Sequence, residues 1–197
     1  MTRVKPSSRF PFRRRRQGET DYYRRRELLK SNALRLAIRA SESHMNAQFI
    51  QSMLKGDHII ASTSSMELRR LYGWKASTAN LPAAYLTGLI AGHKAKKKGI
   101  AEAILDVGVR KPIPGSRVYS ALKGVLDAGI SIPTGNGVFP DESRIQGEHI
   151  AVYAKTLTDA EIKRKHFSSY LAASLEPEAI VSHFKEVKDK IEKAFAA

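Results

Sequence analysis

The chain has 197 residues, of which 42% are hydrophobic, and it carries 34 Lys and Arg against 19 Asp and Glu, a formal charge of +15. The apolar fraction excludes a wholly disordered basic protein, and the charge implies a polyanionic partner because such a field attracts phosphates. With no cysteine, disulfides, thiolate zinc sites and cysteine nucleophiles are excluded.

The positive charge is concentrated at the N-terminus. Residues 1–40 hold 13 Lys and Arg against 3 Asp and Glu, whereas residues 136–197 hold 9 against 10. An electrostatic function is therefore expected at the start of the chain, with a weaker extension into the middle. We divide the chain into a basic arm over 1–31, an α/β core over 32–135, and a loop with a helical extension over 136–197.

The first forty residues contain three predicted elements. Residues 1–20 include two prolines and no apolar periodicity, which predicts an extended arm. Residues 21–30 are typical of a short helix with Asp21 near its start. Over residues 33–39, three aliphatic side chains alternate with Arg35, Ala37 and Arg39, which predicts a strand with one buried and one basic face.

The central region predicts a small mixed sheet packed with helices. Strands over 44–54 and 58–63, joined by a turn at 55–57, extend the first strand into an antiparallel meander. Helices follow over 64–73 and 80–99, then a buried strand over 101–108 and a helix over 115–129. Ala84, Gly88 and Gly92 form a stripe that permits close backbone approach. The order of these elements indicates an α/β sandwich with a crossover into the last strand.

The C-terminal third is predicted as a loop over 130–148, short helices over 147–157 and 158–167, and an amphipathic helix over 176–195. Ile180, Phe184, Val187 and Ile191 lie along one side of that last helix. This apolar side either packs within the chain, which we favour, or docks a protein partner, in which case RNA binding is incidental.

The stretch FPFRRRRQGETDYYRRR, residues 10–26, interleaves seven arginines with four aromatic residues. A localisation signal or solvated tail needs charge but no aromatics, whereas arginines bind phosphates and aromatic rings stack on unpaired bases. We therefore predict RNA binding. The predicted contacts in the arm and first strand are Arg9, Arg13, Arg14, Arg15, Arg16, Tyr22, Tyr23, Arg24, Arg25, Arg26, Arg35 and Arg39.

Two further basic clusters are candidate RNA contacts. The first comprises Lys94, Lys96, Lys97 and Lys98, which either bind phosphates or complement the C-terminal dipole of their helix. The second comprises Ser116 and Arg117, at the start of a helix whose free N–H groups would hold a phosphate. The second is also compatible with a core helix capped by Ser116, and both interpretations can hold at once.

Catalysis has little support in the sequence. The six histidines form no helical pair, and neither a P-loop nor a G-x-S-x-G motif occurs, so no cofactor, metal or small-molecule substrate is expected. One alternative is a magnesium-dependent nuclease in which Asp57, Glu102 and Asp106 converge at strand ends. Another is a non-ribosomal RNA-binding assembly factor.

Six strings point to a known family. They are FRRRRQGETDYYRRRELL, YGW, NLPAAYLTGLIAG, AILDVG, PGSRVYSALKGVLDAG and FPDESRIQGEHIA. In this order they resemble the 5S rRNA-binding large-subunit ribosomal protein of archaea and eukaryotes, the family of bacterial ribosomal protein L18. The resemblance covers residues 5–154, and the short chain looks archaeal.

The resemblance implies a small translational-machinery-type α/β domain that docks 5S rRNA onto large-subunit rRNA at the central protuberance. It implies neighbouring ribosomal proteins, the cytoplasmic ribosome as location, no membrane and no catalysis. The arm and sheet face would hold RNA. Around the first strand, where the family usually has basic residues on both sides, this chain reads NALRLAIRASES, which brings an RNA contact at 40–43 into question.

Overall fold

The computed structural model describes residues 10–111 and 113–196, so the predicted contact Arg9 lies outside the described residues. Its centre is a four-stranded mixed sheet formed by β1 (Arg35–Ala40), β2 (Met45–Met53), β3 (Gly56–Ser64) and β4 (Ile104–Asp106). The strand order is β3-β2-β1-β4. The first three strands are antiparallel neighbours and β4 lies parallel to β1, which confirms the predicted α/β class and meander.

Strand β4 is shorter than the predicted strand over 101–108. Glu102 forms only an isolated bridge with Ser131, and Gly108 turns the chain with a φ of 70°. Glycine adopts a positive φ at little steric cost. The chain therefore turns away from the strand where the sequence supplies a glycine.

The inner face of the sheet is covered by α4 (Leu81–Lys97) and α5 (Arg117–Asp127). A Cβ added to Gly88 would lie 1.9 Å from the Ala121 carbonyl oxygen, and one added to Gly124 would lie 2.2 Å from the Tyr85 oxygen. The two helix backbones are therefore in direct contact, which confirms the close approach predicted from the small-residue stripe.

Local capping determines where the central helices begin. Ser64 and Glu67 form a capping box at the start of α3 (Ser65–Tyr72), which ends at Gly73 with a φ of 70°. The Asn80 side chain accepts a hydrogen bond from the Ala83 N–H at 2.9 Å at the start of α4. Both starts were predicted, because capping depends on neighbouring residues alone.

Within the described residues, a short helix lies in the segment predicted to be extended. Residues 13–16 form α1 (Arg13–Arg16), whose first turn closes when the Arg15 and Arg16 N–H groups donate to the Phe12 carbonyl. Arginine is a good helix former, so a four-arginine run is compatible with this turn. The predicted second helix is confirmed as α2 (Tyr22–Lys30), with the Asp21 carboxylate accepting from the Tyr23 and Arg24 N–H groups.

The C-terminal region is a cluster of helices: α6 (Glu142–Gln146), α7 (Glu148–Thr156), α8 (Ala160–His166), α9 (Ser168–Ala172) and, after a 3₁₀ turn at Pro177–Ala179, α10 (Ile180–Ala196). Helix α6 occupies part of the predicted loop, and α9 was not predicted. The apolar side of α10 is buried against α4 and its neighbours, as expected for packing within the chain. Within the described ranges, no helix is long and apolar enough to cross a membrane.

Candidate nucleic-acid interface

The outer face of the sheet carries Arg35, which is 2% exposed. Its Nη1 donates to Asp106 Oδ2 at 2.9 Å, and its Nη2 donates to Asp57 Oδ2 at 2.8 Å. The expectation of an exposed basic face is therefore wrong at Arg35, because the arm covers it. Arg39, further along β1, is 46% exposed and donates to Asp106 Oδ1 at 3.0 Å.

Helix α2 is fastened to this face by two consecutive arginines. Arg25 Nη2 donates to both oxygens of Asp57, at 2.8 and 2.9 Å. Arg24 Nη1 donates to the Gly108 carbonyl at 3.0 Å, just beyond β4. A cleft of about 200 Å³ remains between the arm and the sheet. We call Arg25, Arg35, Arg39, Asp57 and Asp106 the arginine–aspartate network.

The two carboxylates of the network are held ionised. Burial alone would raise the pKa of Asp57, but hydrogen bonds from Arg25 and Arg35 outweigh it and lower the pKa below its ordinary value. Burial likewise opposes ionisation of Asp106, yet the Arg39 charge and the Gly108 N–H bond lower its pKa. The network is therefore a set of charge-assisted hydrogen bonds at neutral pH.

The outward side of the arm carries exposed aromatic rings. Phe10, Phe12 and Tyr23 are 73%, 70% and 62% exposed. The Phe12 and Tyr22 ring centroids lie 5.0 Å apart, and the Arg15 guanidinium lies 5.0 Å from the Tyr23 ring centroid. These contacts form a shared surface. We call it the aromatic–arginine surface, and its residues are Phe10, Phe12, Arg15, Tyr22, Tyr23 and Arg26.

The arm arginines thus divide by direction. Arg24 and Arg25 face the sheet, and Arg14 is held within the arm by Thr20 and Glu19. Apart from Arg25, which is partly buried, the arginines from Arg13 to Arg26 are exposed, and Arg26 pairs with Glu27. The sequence did not separate these groups, and its predicted contacts omitted Phe10 and Phe12, although the interleaving of aromatics and arginines was the signal for both.

The lysine cluster of α4 lies against the sheet edge. Lys94 Nζ donates to the Ser62 carbonyl at 3.1 Å and to Glu67 Oε2 at 2.6 Å, and Lys98 Nζ donates to the Ile60 carbonyl. Strand β3 is an edge strand, so these lysines bind carbonyls that no further strand of the described sheet pairs. Lys97 lies 5.0 Å from the Phe195 ring centroid, while Lys96 is exposed. Three of the four lysines therefore have contacts within the fold.

The start of α5 is also tied to the fold. Arg117 Nη1 donates to the Ser41 and Ala79 carbonyls at 3.0 and 2.9 Å. Ser116 occupies the N-cap position without a side-chain capping bond, and its buried Oγ has no partner among the described residues. The alternative of a helix capped by the Ser116 side chain is therefore wrong.

The arginine–aspartate network contradicts the alternative of a magnesium-dependent nuclease. Asp57 and Asp106 do lie near each other, but the guanidinium of Arg35 joins them. Glu102 is at the bridge to Ser131. Over residues 10–111 and 113–196, no group of three or more His, Asp or Glu side chains is arranged to hold a metal ion.

Comparison with known proteins identifies the family. Residues 8–100 match the family described as ribosomal large subunit proteins 60S L5 and 50S L18. The large ribosomal subunit protein uL18 of Aeropyrum pernix is 47% identical over 192 residues, covering 96% of this chain and 90% of the relative. The chain belongs to the L18 family. The uL18 proteins of Thermofilum pendens and Desulfurococcus amylolyticus are 48% and 45% identical, covering 94% and 96% of this chain and 95% and 97% of the relatives.

Membership of the L18 family confirms the resemblance seen in the six strings. It also confirms a structural protein of the large ribosomal subunit rather than an enzyme or a non-ribosomal factor, located in the cytoplasmic ribosome. Ribosomal RNA and ribosomal proteins are the partners that this membership implies. The three relatives are archaeal proteins.

Proposed function

We propose that this L18-family chain binds 5S rRNA and helps to attach it to the large-subunit rRNA at the central protuberance. The observation that carries the proposal is the outward side of the arm. There, Arg15 and Arg26 share a surface with exposed aromatic rings, and Arg13 and Arg16 are exposed on the same segment of the chain.

The two side-chain types would serve different parts of the RNA. Arginine forks bind phosphate oxygens, and this contact supplies most of the affinity without reading sequence. Aromatic faces stack on unpaired bases, which occur in the loops and bulges of structured RNA. The aromatic–arginine surface offers both within one segment of the chain, so it suits a folded RNA with splayed bases better than a uniform duplex.

The first test removes the exposed positive charge. Replacing Arg13, Arg15, Arg16 and Arg26 with Ala should weaken 5S rRNA binding on the order of a thousandfold and reduce the log–log salt slope by about 3. A control variant carries the same number of substitutions at Lys165, Lys185, Lys190 and Lys193, exposed cations of the C-terminal helices. Binding is measured by filter retention between 50 and 300 mM salt.

The control variant should bind nearly as well as the unmodified chain. Equal losses in both variants would mean that net charge alone drives binding and would remove the arm from the proposal. An unrelated structured RNA of the same length, and a fragment of large-subunit rRNA, test specificity. If the chain did not distinguish 5S rRNA from the unrelated RNA, the 5S assignment would fail.

A second test separates stacking from charge. Replacing Tyr23 with Leu should reduce 5S rRNA affinity by about tenfold while leaving the salt slope unchanged, because no charge is lost. Replacing Tyr23 with Phe keeps the ring and should keep the affinity. If Leu and Phe variants bound equally well, base stacking at this position would be excluded.

A further inference from the structure

We propose that Asp57 positions the RNA-binding arm. Its carboxylate anchors α2 to the sheet and thereby directs the aromatic–arginine surface outward. The inference rests on the proposed function for its consequence in RNA binding, while the anchor itself rests on contacts within the chain.

Asp57 is the point at which the arm meets the sheet. Both of its oxygens accept from Arg25 Nη2, and Oδ2 also accepts from Arg35 Nη2 at 2.8 Å. Arg35 is itself immobilised, because it is buried and donates to Asp106 and to Ser52 Oγ at 3.2 Å. One carboxylate therefore links a partly exposed helix to a rigid guanidinium in the sheet.

A second attachment lies at the opposite edge of the sheet. The Gly108 carbonyl accepts from Arg24, and the Gly108 N–H donates to Asp106 Oδ1 at 2.8 Å. Gly108 has a φ of 70°, and a Cβ there would lie 3.1 Å from the Arg39 guanidinium carbon. Asp106 thus shapes the loop that receives Arg24, and α2 is held at β3 and beyond β4.

Two attachments from consecutive residues fix the rotation of α2 about its axis. Successive side chains of a helix point about 100° apart, so fixing Arg24 and Arg25 decides which residues face away from the sheet. Tyr23 and Arg26, which flank this pair, are exposed. Without the Asp57 anchor, the helix would rotate or detach, and the RNA would have to order it at binding.

The anchor makes a prediction opposite to simple electrostatics. Removing a carboxylate beside a basic surface should strengthen phosphate binding if charge alone matters. If Asp57 positions the arm, its removal should instead weaken binding although the protein becomes more positive. The sign of the change therefore separates the two explanations.

The experiment compares Asp57→Ala and Asp57→Asn with Glu27→Gln in the full chain. Glu27 lies on the exposed side of α2 and pairs with Arg26 and Lys30, so its variant removes a comparable charge without touching the anchor. We expect about tenfold weaker 5S rRNA binding for the Asp57 variants, and unchanged or tighter binding for Glu27→Gln. Equal or tighter binding by both Asp57 variants would overturn the proposal.

A double-mutant cycle gives a second reading. Arg25→Ala should weaken binding about as much as Asp57→Ala, and the double variant should be no worse than either alone because both remove one contact. The loss of RNA affinity caused by Arg26→Ala should instead add in full to the loss caused by Asp57→Ala. Additive losses at Arg25 and Asp57 would show that they act separately and would contradict the anchor.

Hydrogen exchange tests the anchor without RNA. In Asp57→Ala, the amides of α2 should exchange at least about tenfold faster, while those of β1 and β2 stay protected and the fluorescence of the buried Trp74 is unchanged. Unchanged exchange in α2 would refute the anchor whether or not RNA binds. If the unmodified chain failed to bind rRNA, the proposed function would fail. The exchange rates of the α2 amides would still show whether Asp57 anchors α2 to the sheet. Should the Asp57 variants not fold, Arg25→Ala takes their place.

Discussion

The two faces of the sheet are covered in different ways. On the inner face, α4 and α5 pack through apolar side chains and through glycines that bring the helix backbones together. On the outer face, the arm is held by guanidinium–carboxylate contacts around a small cleft. Apolar packing depends on shape, whereas ion pairs depend on salt and pH. The outer cover is thus expected to respond to salt and pH, and the inner cover to changes in side-chain volume.

The largest effect is expected where the inner cover is tightest. Gly88→Ala places a Cβ against the Ala121 backbone and should lower the free energy of unfolding by about 3 kcal/mol or more, beyond the small gain in helix propensity. Denaturant titration followed by Trp74 fluorescence measures the loss. Gly135→Ala, whose added Cβ would have no atom of the described residues within 4 Å, is the control and should change stability little. A similar small change at Gly88 would show that the helices have room to separate.

On the outer face, the buried arginine should matter more than the exposed one. Arg35→Met leaves Asp57 and Asp106 with one arginine each and should cost about 2 kcal/mol of unfolding free energy. Arg39→Met, on the same strand and face, should cost less than about 1 kcal/mol because Arg39 is half exposed. Thermal and denaturant unfolding of the two variants test this order. Equal losses of unfolding free energy in Arg35→Met and Arg39→Met would contradict it.

Acid should release the outer cover before the inner one. The pKa values of Asp57 and Asp106 are lowered in the folded chain, so their stabilisation is complete above the ordinary carboxyl value and is lost as the pH falls through the folded values. As the pH falls below the ordinary carboxyl value toward these lowered values, protection of α2 amides should therefore fall relative to α4 amides, after correction for intrinsic exchange rates. If the amides of α2 and α4 lost protection in parallel, the two covers of the sheet would not differ in their sensitivity to acid.

The sequence predicted the parts of the fold that depend on neighbouring residues. The helices predicted to start at 64 and 80 and the alternation predicted for β1 each depend on residues within a few positions, and the structure confirms these elements. The same alternation was compatible with a buried or an exposed Arg35. Which one occurs depends on carboxylates 22 and 71 residues away, and no local pattern specifies which element will cover a strand face.

The candidate interface shows the same limit. Composition located the basic arm, but the direction of each arginine depends on α2 meeting Asp57 and Gly108, residues that no spacing rule connects to the arm. The lysine cluster was equally basic in sequence. The structure gives two of these lysines a role that the sequence did not predict, because Lys94 and Lys98 are one helical turn apart and reach alternate carbonyls of β3.

The smallest effect is expected from these lysines, the cations of the inner cover. Replacing Lys94 and Lys98 with Ala should lower 5S rRNA affinity less than about threefold and stability by less than about 1 kcal/mol, because both ammonium groups are partly exposed and act on neutral or singly charged partners. It should also uncover the β3 edge and promote concentration-dependent self-association, which sedimentation measures. A loss of RNA affinity matching that of the four-arginine variant would place an RNA contact on α4. The arm would then no longer be the centre of the electrostatic function, since both covers of the sheet would bind RNA.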